Sequence, residues 1–248
     1  MLQNFESLVL IWLGIGFITF ITLLKIPAPY GKFSKTNWGP MIPSKLGWIV
    51  MEIISPLALL YFFLNGNIEK TPTNITFISL WTLHYFNRSV IYPLRQNNPA
   101  QMPLIIAVLA FLFNVMNGYI NGTYFGSIQE YSAEYMSNWN FIVGVCLFIF
   151  GAYINIKSDN ILLSLRSKSG EYKIPEGFMF RYVSFPNYFG EILEWMAFAI
   201  MTWSLAGLSF MIWTMANLVP RAIKGHQWYH SKFESYPKNR KAIFPFII

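Results

Sequence analysis

The chain has few of the residues that staple small proteins or build inorganic sites. Its single cysteine, Cys146, lies inside an apolar stretch, which excludes a disulfide framework and a thiolate metal cluster. Histidine occurs three times. His226 and His230 have an i, i+4 spacing that can grip a metal, but no glutamate follows the first and no third ligand is evident, so no metal site is expected. Charge is scarce too: 12% of the residues are charged, and 11 acidic side chains oppose 18 basic ones. No P-loop is present. Gly14-Ile15-Gly16 has no third glycine and sits within an apolar run, so it is not a Rossmann turn. Any nucleotide must therefore bind in a helical pocket and not on an α/β sheet. No repeat of ~20–50 residues recurs along the chain.

Hydrophobic residues take the place of what is missing. They make up 54% of the 248 residues, with a mean hydropathy of +0.40. Seven apolar segments stand out, at 5–24, 46–64, 73–92, 102–120, 139–156, 189–205 and 208–223. Runs of ~17–20 apolar residues match the ~30 Å hydrocarbon layer of a bilayer. The expected fold is an all-α integral membrane protein: seven transmembrane helices in one domain spanning 1–248, the last two forming a tight hairpin. The first segment lacks a basic leader, and its first cation, Lys25, follows it, so it reads as a retained helix and not a signal peptide.

The cations are sorted. Of the 18 Lys and Arg, all but Lys70 fall at the ends of the first, third, fifth and seventh segments or in the loops that follow them. Positive charge stays on the cytoplasmic side, which places the N-terminus outside and the C-terminus in the cytosol. The net charge of +7 then belongs to a cytosolic face that meets anionic lipid or a phosphorylated cofactor. Nucleic acid is not an expected partner, and a monomer is expected. The membrane is either a bacterial inner membrane or the endoplasmic reticulum.

Between the helices, 157–188 is too long for a mere connection. Ile161, Leu162, Leu163 and Leu165 offer an interfacial apolar side with Arg166 and Lys168 beside it. Tyr172, Ile174, Phe178, Phe180 and Tyr182 recur at mostly even spacing and suggest a short hairpin-like cover. After Lys224 the tail is expected to continue helically, and the apolar terminus from Ala242 to Ile248 to tuck against the bundle. Gly118, Gly122 and Gly126 form a small-xxx-small row, the mark of close helix packing.

The chemistry is expected where polar groups interrupt apolar helices, because a carboxylate at membrane depth is costly and usually functional. Glu52 lies in Trp48-Ile49-Val50-Met51-Glu52, and His84-Tyr85-Phe86-Asn87-Arg88 closes the third segment. With the second helix running outward and the third inward, Glu52 and Tyr85 both lie ~10 Å deep at ~1.5 Å per residue. Asn155 and Asp159 share a face of the fifth helix, i and i+4. Asn187, Glu191 and Glu194 share a face of the sixth, with Pro186 where a helix commonly begins. Arg221 and His226 follow the seventh. Amides, carboxylates and guanidinium groups gathered at the cytosolic mouth suit ribose hydroxyls, a carboxamide and phosphates.

These residues carry a resemblance. Asn155-Ile156-Lys157-Ser158-Asp159, Arg166, Tyr172-Lys173-Ile174-Pro175, Asn187-Tyr188-Phe189-Gly190-Glu191, Glu194-Trp195 and Thr202-Trp203-Ser204 resemble the C-terminal half of the steroid 5α-reductase family. So does the tail Phe233-Glu234-Ser235-Tyr236-Pro237-Lys238. Tyr30-Gly31-Lys32, Trp48 with Glu52, His84-Tyr85-Phe86 with Arg88, and Asn121-Gly122 extend the likeness over nearly the whole chain. The resemblance implies a seven-helix membrane reductase that uses NADPH to reduce the Δ4 bond of 3-keto steroids. It puts the catalytic pair on Glu52 and Tyr85, with Trp48 also at the lipid-soluble, steroid-like substrate. It puts cofactor contacts on Lys32, Arg88, Asn155, Asp159, Arg166, Tyr172, Asn187, Glu191, Arg221, His226 and Tyr229. The C-terminal half, about 139–248, would form most of the cofactor pocket, and helices 1–4 most of the substrate pocket. Met51 stands where vertebrate members have glutamine, and Lys224-Gly225-His226 where they have a run of histidines; both departures suit a bacterial or other non-vertebrate homologue.

In such an enzyme, hydride adds to an enone β-carbon only if charge developing on the carbonyl oxygen is stabilised. The Tyr85 hydroxyl and a neutral Glu52 are the two donors, a low-dielectric helix interior favouring the uncharged acid. Trp48, Phe86, Phe111, Phe113 and Phe189 are candidate walls for a flat substrate. Related folds reduce polyprenols, enoyl thioesters or other lipid enones. A membrane S-adenosylmethionine-dependent methyltransferase shares a similar pocket, but has no use for a carbonyl clamp.

Overall fold

Proline-bounded segments set where the helices that follow the first one begin. The computed structural model describes residues 2–96, 100–165 and 172–248. Met41–Pro43 (β1) pairs antiparallel with Gln101–Pro103 (β2), Ile42 opposite Met102. The ribbon is closed by Ser44 N–H donating to the Ala100 carbonyl (2.9 Å) and Leu104 N–H to the Pro40 carbonyl (2.8 Å). Helices α2 (Ser44–Leu64) and α4 (Leu104–Thr123) both start from this ribbon and run the same way. Between them lies α3 (Pro72–Phe86), opened by a Thr71 cap whose side chain accepts from Asn74 N–H (3.3 Å) and by Pro72 in the first turn. It passes into a π-helical turn, Asn87–Ile91. A second π turn, Tyr124–Ile128, extends α4.

The remaining long helices are α1 (Leu2–Lys25), α5 (Trp139–Leu165), α6 (Pro186–Thr202) and α7 (Leu205–Lys232). The seven apolar segments thus all become helices. Two compact units divide the chain: Met1–Val9 with Ala28–Ile142, and Leu10–Pro27 with Val143–Ile248. Among the described residues, α1, α2, α4 with its π turn, and α5 are long and apolar enough to cross a membrane. Large apolar side chains on α1, including Leu10, Ile11, Phe17 and Ile18, lie exposed, as lipid-facing residues do. This is an all-α membrane protein.

In the first unit the glycine row does what its spacing predicts. A Cβ on Gly118 would lie 2.5 Å from the Ala58 Cβ, one on Gly122 would lie 2.6 Å from the Leu59 carbonyl oxygen, and one on Gly126 2.7 Å from that of Phe63. Backbone therefore meets backbone along α2 and α4, and Leu59, Phe63, Phe77, Trp81, Ile120 and Phe125 are buried around the seam.

In the second unit α6 and α7 form the expected hairpin. Trp203 turns the chain in the left-handed region (φ 46°), and the Ser204 side chain caps α7 by accepting from Gly207 N–H (2.9 Å). The Trp213 indole donates to the Trp12 carbonyl of α1 (3.1 Å), with the two rings 4.5 Å apart.

Three expectations need correction. The fifth helix does not stop at 156 but runs to Leu165, so Ile161, Leu162 and Leu163 lie on a helical extension; Arg166 and Lys168 lie outside the described residues. The region 172–182 is not a hairpin. Gly177 (φ 78°) starts a single 3-10 turn, Phe178–Arg181, and Val183 then pairs in parallel with Lys241 of the tail. Only part of the terminus tucks in: Ala242 and Ile243 are buried, whereas Phe246 and Ile247 are 80% and 77% exposed.

The packing yields a contrast between two glycines. Gly122→Leu drives a side chain into the α2 backbone and is expected to destabilise the protein by at least ~3 kcal/mol or prevent its folding. Gly14→Leu, where an added Cβ meets nothing within 4 Å, is expected to be tolerated. Thermal unfolding of the detergent-solubilised proteins checks this, and equal midpoints for the two would contradict the seam.

Candidate active site

Glu52 stands half-buried on α2, one helical turn before Pro56, which has no N–H to give the Glu52 carbonyl. Beside it the Met51 carbonyl accepts a 2.6 Å bond from Asn114 Nδ2 on α4. Asn114 Oδ1 in turn accepts from the Tyr85 hydroxyl on α3, at 3.4 Å. One buried amide thus joins three helices and holds Tyr85 at the level of Met51 and Glu52. The Tyr85 ring is fixed by Trp81, stacked at 5.7 Å, whose indole donates to Ser55 Oγ (3.1 Å); His84 meets it edge-on at 5.2 Å.

Trp48, a turn before Glu52, is contacted edge-on by Tyr30. The Arg88 guanidinium lies 5.2 Å from the Trp48 ring and 5.4 Å from that of Tyr92, a cation–π arrangement that holds Arg88 against aromatic faces. Arg88 belongs to the π turn that follows Tyr85, an irregularity frequent at functional sites. Lys32 sits half-buried in a 3-10 turn, Gly31–Phe33. Phe86 and Phe111 are 52% and 37% exposed. Asn114 escaped the sequence reading. Its signal was an amide inside an apolar segment, which membrane depth makes costly unless it is bonded.

In the second unit, two glycines bring the amides together. A Cβ on Gly190 would lie 2.5 Å from the Asn155 backbone nitrogen, and one on Gly151 2.8 Å from that of Glu194. At this contact α5 and α6 touch backbone to backbone. Asn155 Nδ2 donates to the Asn187 carbonyl (3.0 Å), and Asn187 Nδ2 donates to Asp159 Oδ1 (3.0 Å). Pro186 opens α6 as expected, Glu191 is half-buried one turn on, and Glu194 is buried. Arg221 Nε donates to the Tyr188 hydroxyl (3.1 Å). Tyr229 is buried, its ring stacked 5.1 Å from Tyr236. Tyr172 is exposed and meets Trp228 edge-on at 4.9 Å. Arg166 lies outside the described residues.

Among the described residues of this unit, Asn187 Oδ1 and Ser158 Oγ are buried with no protein partner. An unsatisfied buried acceptor costs ~1–3 kcal/mol, so both invite a ligand that brings hydrogen-bond donors. Ribose hydroxyls and a carboxamide N–H are such donors, and the neighbouring amides and carboxylates fit the same groups.

His226 is tied into the structure on another side. Ser184 Oγ lies 2.6 Å from His226 Nδ1 and 2.6 Å from the Tyr236 hydroxyl. Burial, helped by the adjoining His230 and Lys241, pushes the His226 ring down to about 4, so at pH 7 it is neutral. Ser184 Oγ thus bridges the His226 ring and the Tyr236 hydroxyl.

Residues 100–248 match the family described as 3-oxo-5-alpha-steroid 4-dehydrogenase. The chain is 43% identical to the steroid 5-alpha-reductase DET2 of Arabidopsis thaliana, over 92% of this chain and 91% of that one. It is 37% identical to 3-oxo-5-alpha-steroid 4-dehydrogenase 1 of Rattus norvegicus, over 94% and 91%, and 34% identical to the Homo sapiens protein of that name, over 94% and 92%. Likeness at this level, running nearly end to end in plant and mammalian relatives alike, makes the chain a member of the steroid 5α-reductase (3-oxo-5-alpha-steroid 4-dehydrogenase) family.

Proposed function

We propose that this protein reduces the Δ4 double bond of 3-oxo steroids, with NADPH as reductant. The observation that carries the reading is the near full-length identity to steroid 5α-reductases, joined to a Tyr85 hydroxyl held beside the α2 turn that carries Glu52.

A Δ4-3-oxo steroid is an enone, and its β-carbon becomes electrophilic when the 3-oxo oxygen is stabilised as negative charge grows on it. The Tyr85 hydroxyl and a protonated Glu52 donate to that oxygen. Preorganised donors of this kind are worth ~3–4 kcal/mol each, or ~10²–10³ in rate. The reduced nicotinamide, when bound, supplies the hydride. Asn155, Asp159, Asn187 and Glu191 hold its ribose and carboxamide groups. Arg221 and the basic residues Lys32 and Arg88 act on phosphate charge, and the Tyr229 and Tyr172 rings and His226 complete the cofactor contacts. Trp48 contributes an apolar face to the steroid. The amides at the α5–α6 contact support this assignment, because their unsatisfied oxygen and hydroxyl call for ligand donors. In the membrane we read seven spans, the N-terminus outside and the C-terminus in the cytosol, and a monomer.

Three outcomes test the reading. Glu52→Leu and Tyr85→Phe, each of which removes a donor, are expected to lower reduction of progesterone or testosterone by ~10²-fold or more while NADPH still binds; full activity in both would refute the carbonyl clamp. Asp159→Ala and Asn187→Ala are expected to weaken NADPH binding, measured by titration, by roughly 10-fold or more, in line with ~1.4 kcal/mol or more per charge-assisted or buried hydrogen bond. Unchanged affinity in both variants moves the cofactor elsewhere. A reporter fused after Ile248, or a cysteine label introduced between Lys157 and Arg181, is expected to read cytosol; a readout from the opposite face overturns the orientation.

A further inference from the structure

The Tyr85 ring is held by its stack on Trp81, itself anchored to Ser55, so little freedom is left to this side chain except the torsion of its O–H bond. What faces that hydroxyl is Asn114, only 3% exposed within an apolar helix. An amide at this depth is an expensive choice where leucine would pack more simply. Its orientation is determined by its second partner. The Met51 carbonyl can only accept, so Asn114 must turn Nδ2 toward α2, and only Oδ1 is left for Tyr85. The hydroxyl is therefore the donor in that contact. The two bonds are unequal: 2.6 Å to Met51 and 3.4 Å from Tyr85, so the amide is firmly pinned to α2 and only lightly engaged with the hydroxyl.

We propose that Asn114 is a positioning residue for the reduction. It aims the single hydroxyl proton of Tyr85 and ties that hydroxyl to the turn carrying Glu52, so the two donors to the steroid's 3-oxo oxygen keep one spacing. The long bond to Asn114 makes exchange for a ketone oxygen cheap, while a fixed acceptor keeps the proton from wandering before substrate arrives. Asn114 acts through Tyr85 and touches neither steroid nor cofactor. The inference rests on the carbonyl-clamp reading of Tyr85 and Glu52.

The experiment is a double-substitution cycle on the full-length purified protein. It uses progesterone and NADPH, with product quantified by mass spectrometry so that losses of ~10⁴-fold stay measurable. Asn114→Leu is expected to lower kcat roughly 10-fold, with the steroid KM and the NADPH affinity within about twofold of the parent. In a Tyr85→Phe background the same substitution is expected to cost less than about twofold more, because the group it positions is gone. Asn114→Gln, which keeps both a donor and an acceptor, is expected to recover part of the loss. If Asn114→Leu does not fold, Asn114→Thr, smaller and tolerated in membrane helices, enters the same cycle. An unchanged kcat for the Asn114 variant, or losses that multiply in the double variant, overturns the proposal and leaves Asn114 a packing residue. Parental activity in Tyr85→Phe alone sinks the inference together with the clamp. That outcome is told apart because it appears before Asn114 is altered.

Discussion

A polar side chain inside a bilayer has no water to fall back on, so each one placed there has to be answered by another part of the protein. That constraint organises this molecule. Asn114 is answered by the Met51 carbonyl, Asn155 by the Asn187 carbonyl, and Asn187 by Asp159. Each of these bonds runs between different helices, so the polar groups that the chemistry needs also fix which helices lie side by side. Where an atom is left unanswered, as with Asn187 Oδ1, the cost of leaving it so is itself the argument for a ligand.

Such bonds are short-range and demand that helix axes approach closely, which is the role of the glycines. Gly118, Gly122 and Gly126 let α4 lie on the α2 backbone, and Asn114 reaches the Met51 carbonyl one turn earlier on that same surface. Gly151 and Gly190 let α5 and α6 touch, and Asn155 and Asp159 meet Asn187 beside that contact. In each unit a smooth backbone surface and a polar group sit a turn or so apart. The glycine sets the distance and the amide sets the register.

Much of this was legible in the sequence. The seven apolar runs, the glycine row of α4, the start of α6 at Pro186, and the pairing of Asn155 with Asp159 on one face follow from period, length and position, which are local properties. What failed was non-local. The expected hairpin at 172–182 rested on alternating apolar residues, but their partner is the tail some sixty residues on, which takes Val183 into a parallel bridge with Lys241. The fifth helix ran on because Lys157, Asp159 and Asn160 are all compatible with a helix, and no proline or glycine terminates it before Leu165. Asn114 and Gly190 were passed over for the same reason: an amide in an apolar run, or one glycine in a helix, shows its purpose only when its neighbour is known.

The tail adds a further step to the same logic. Tyr182, Ser184 and Phe185 exchange backbone hydrogen bonds with Lys241 and Ala242, at 2.8–3.1 Å, immediately ahead of Pro186. Tyr236, Ser184 and His226 then link the tail, the entry to α6 and α7 through side chains. Burial keeps the His226 ring neutral at pH 7. A ring depressed to about 4 in the folded protein favours folding above its unfolded value of ~6.5, and that contribution is lost as pH falls from there toward 4. The position of Asn187 is therefore set twice, by the glycine contact on one side and by the docked tail on the other, and loosening the tail in acid would release the second of these restraints while leaving the first.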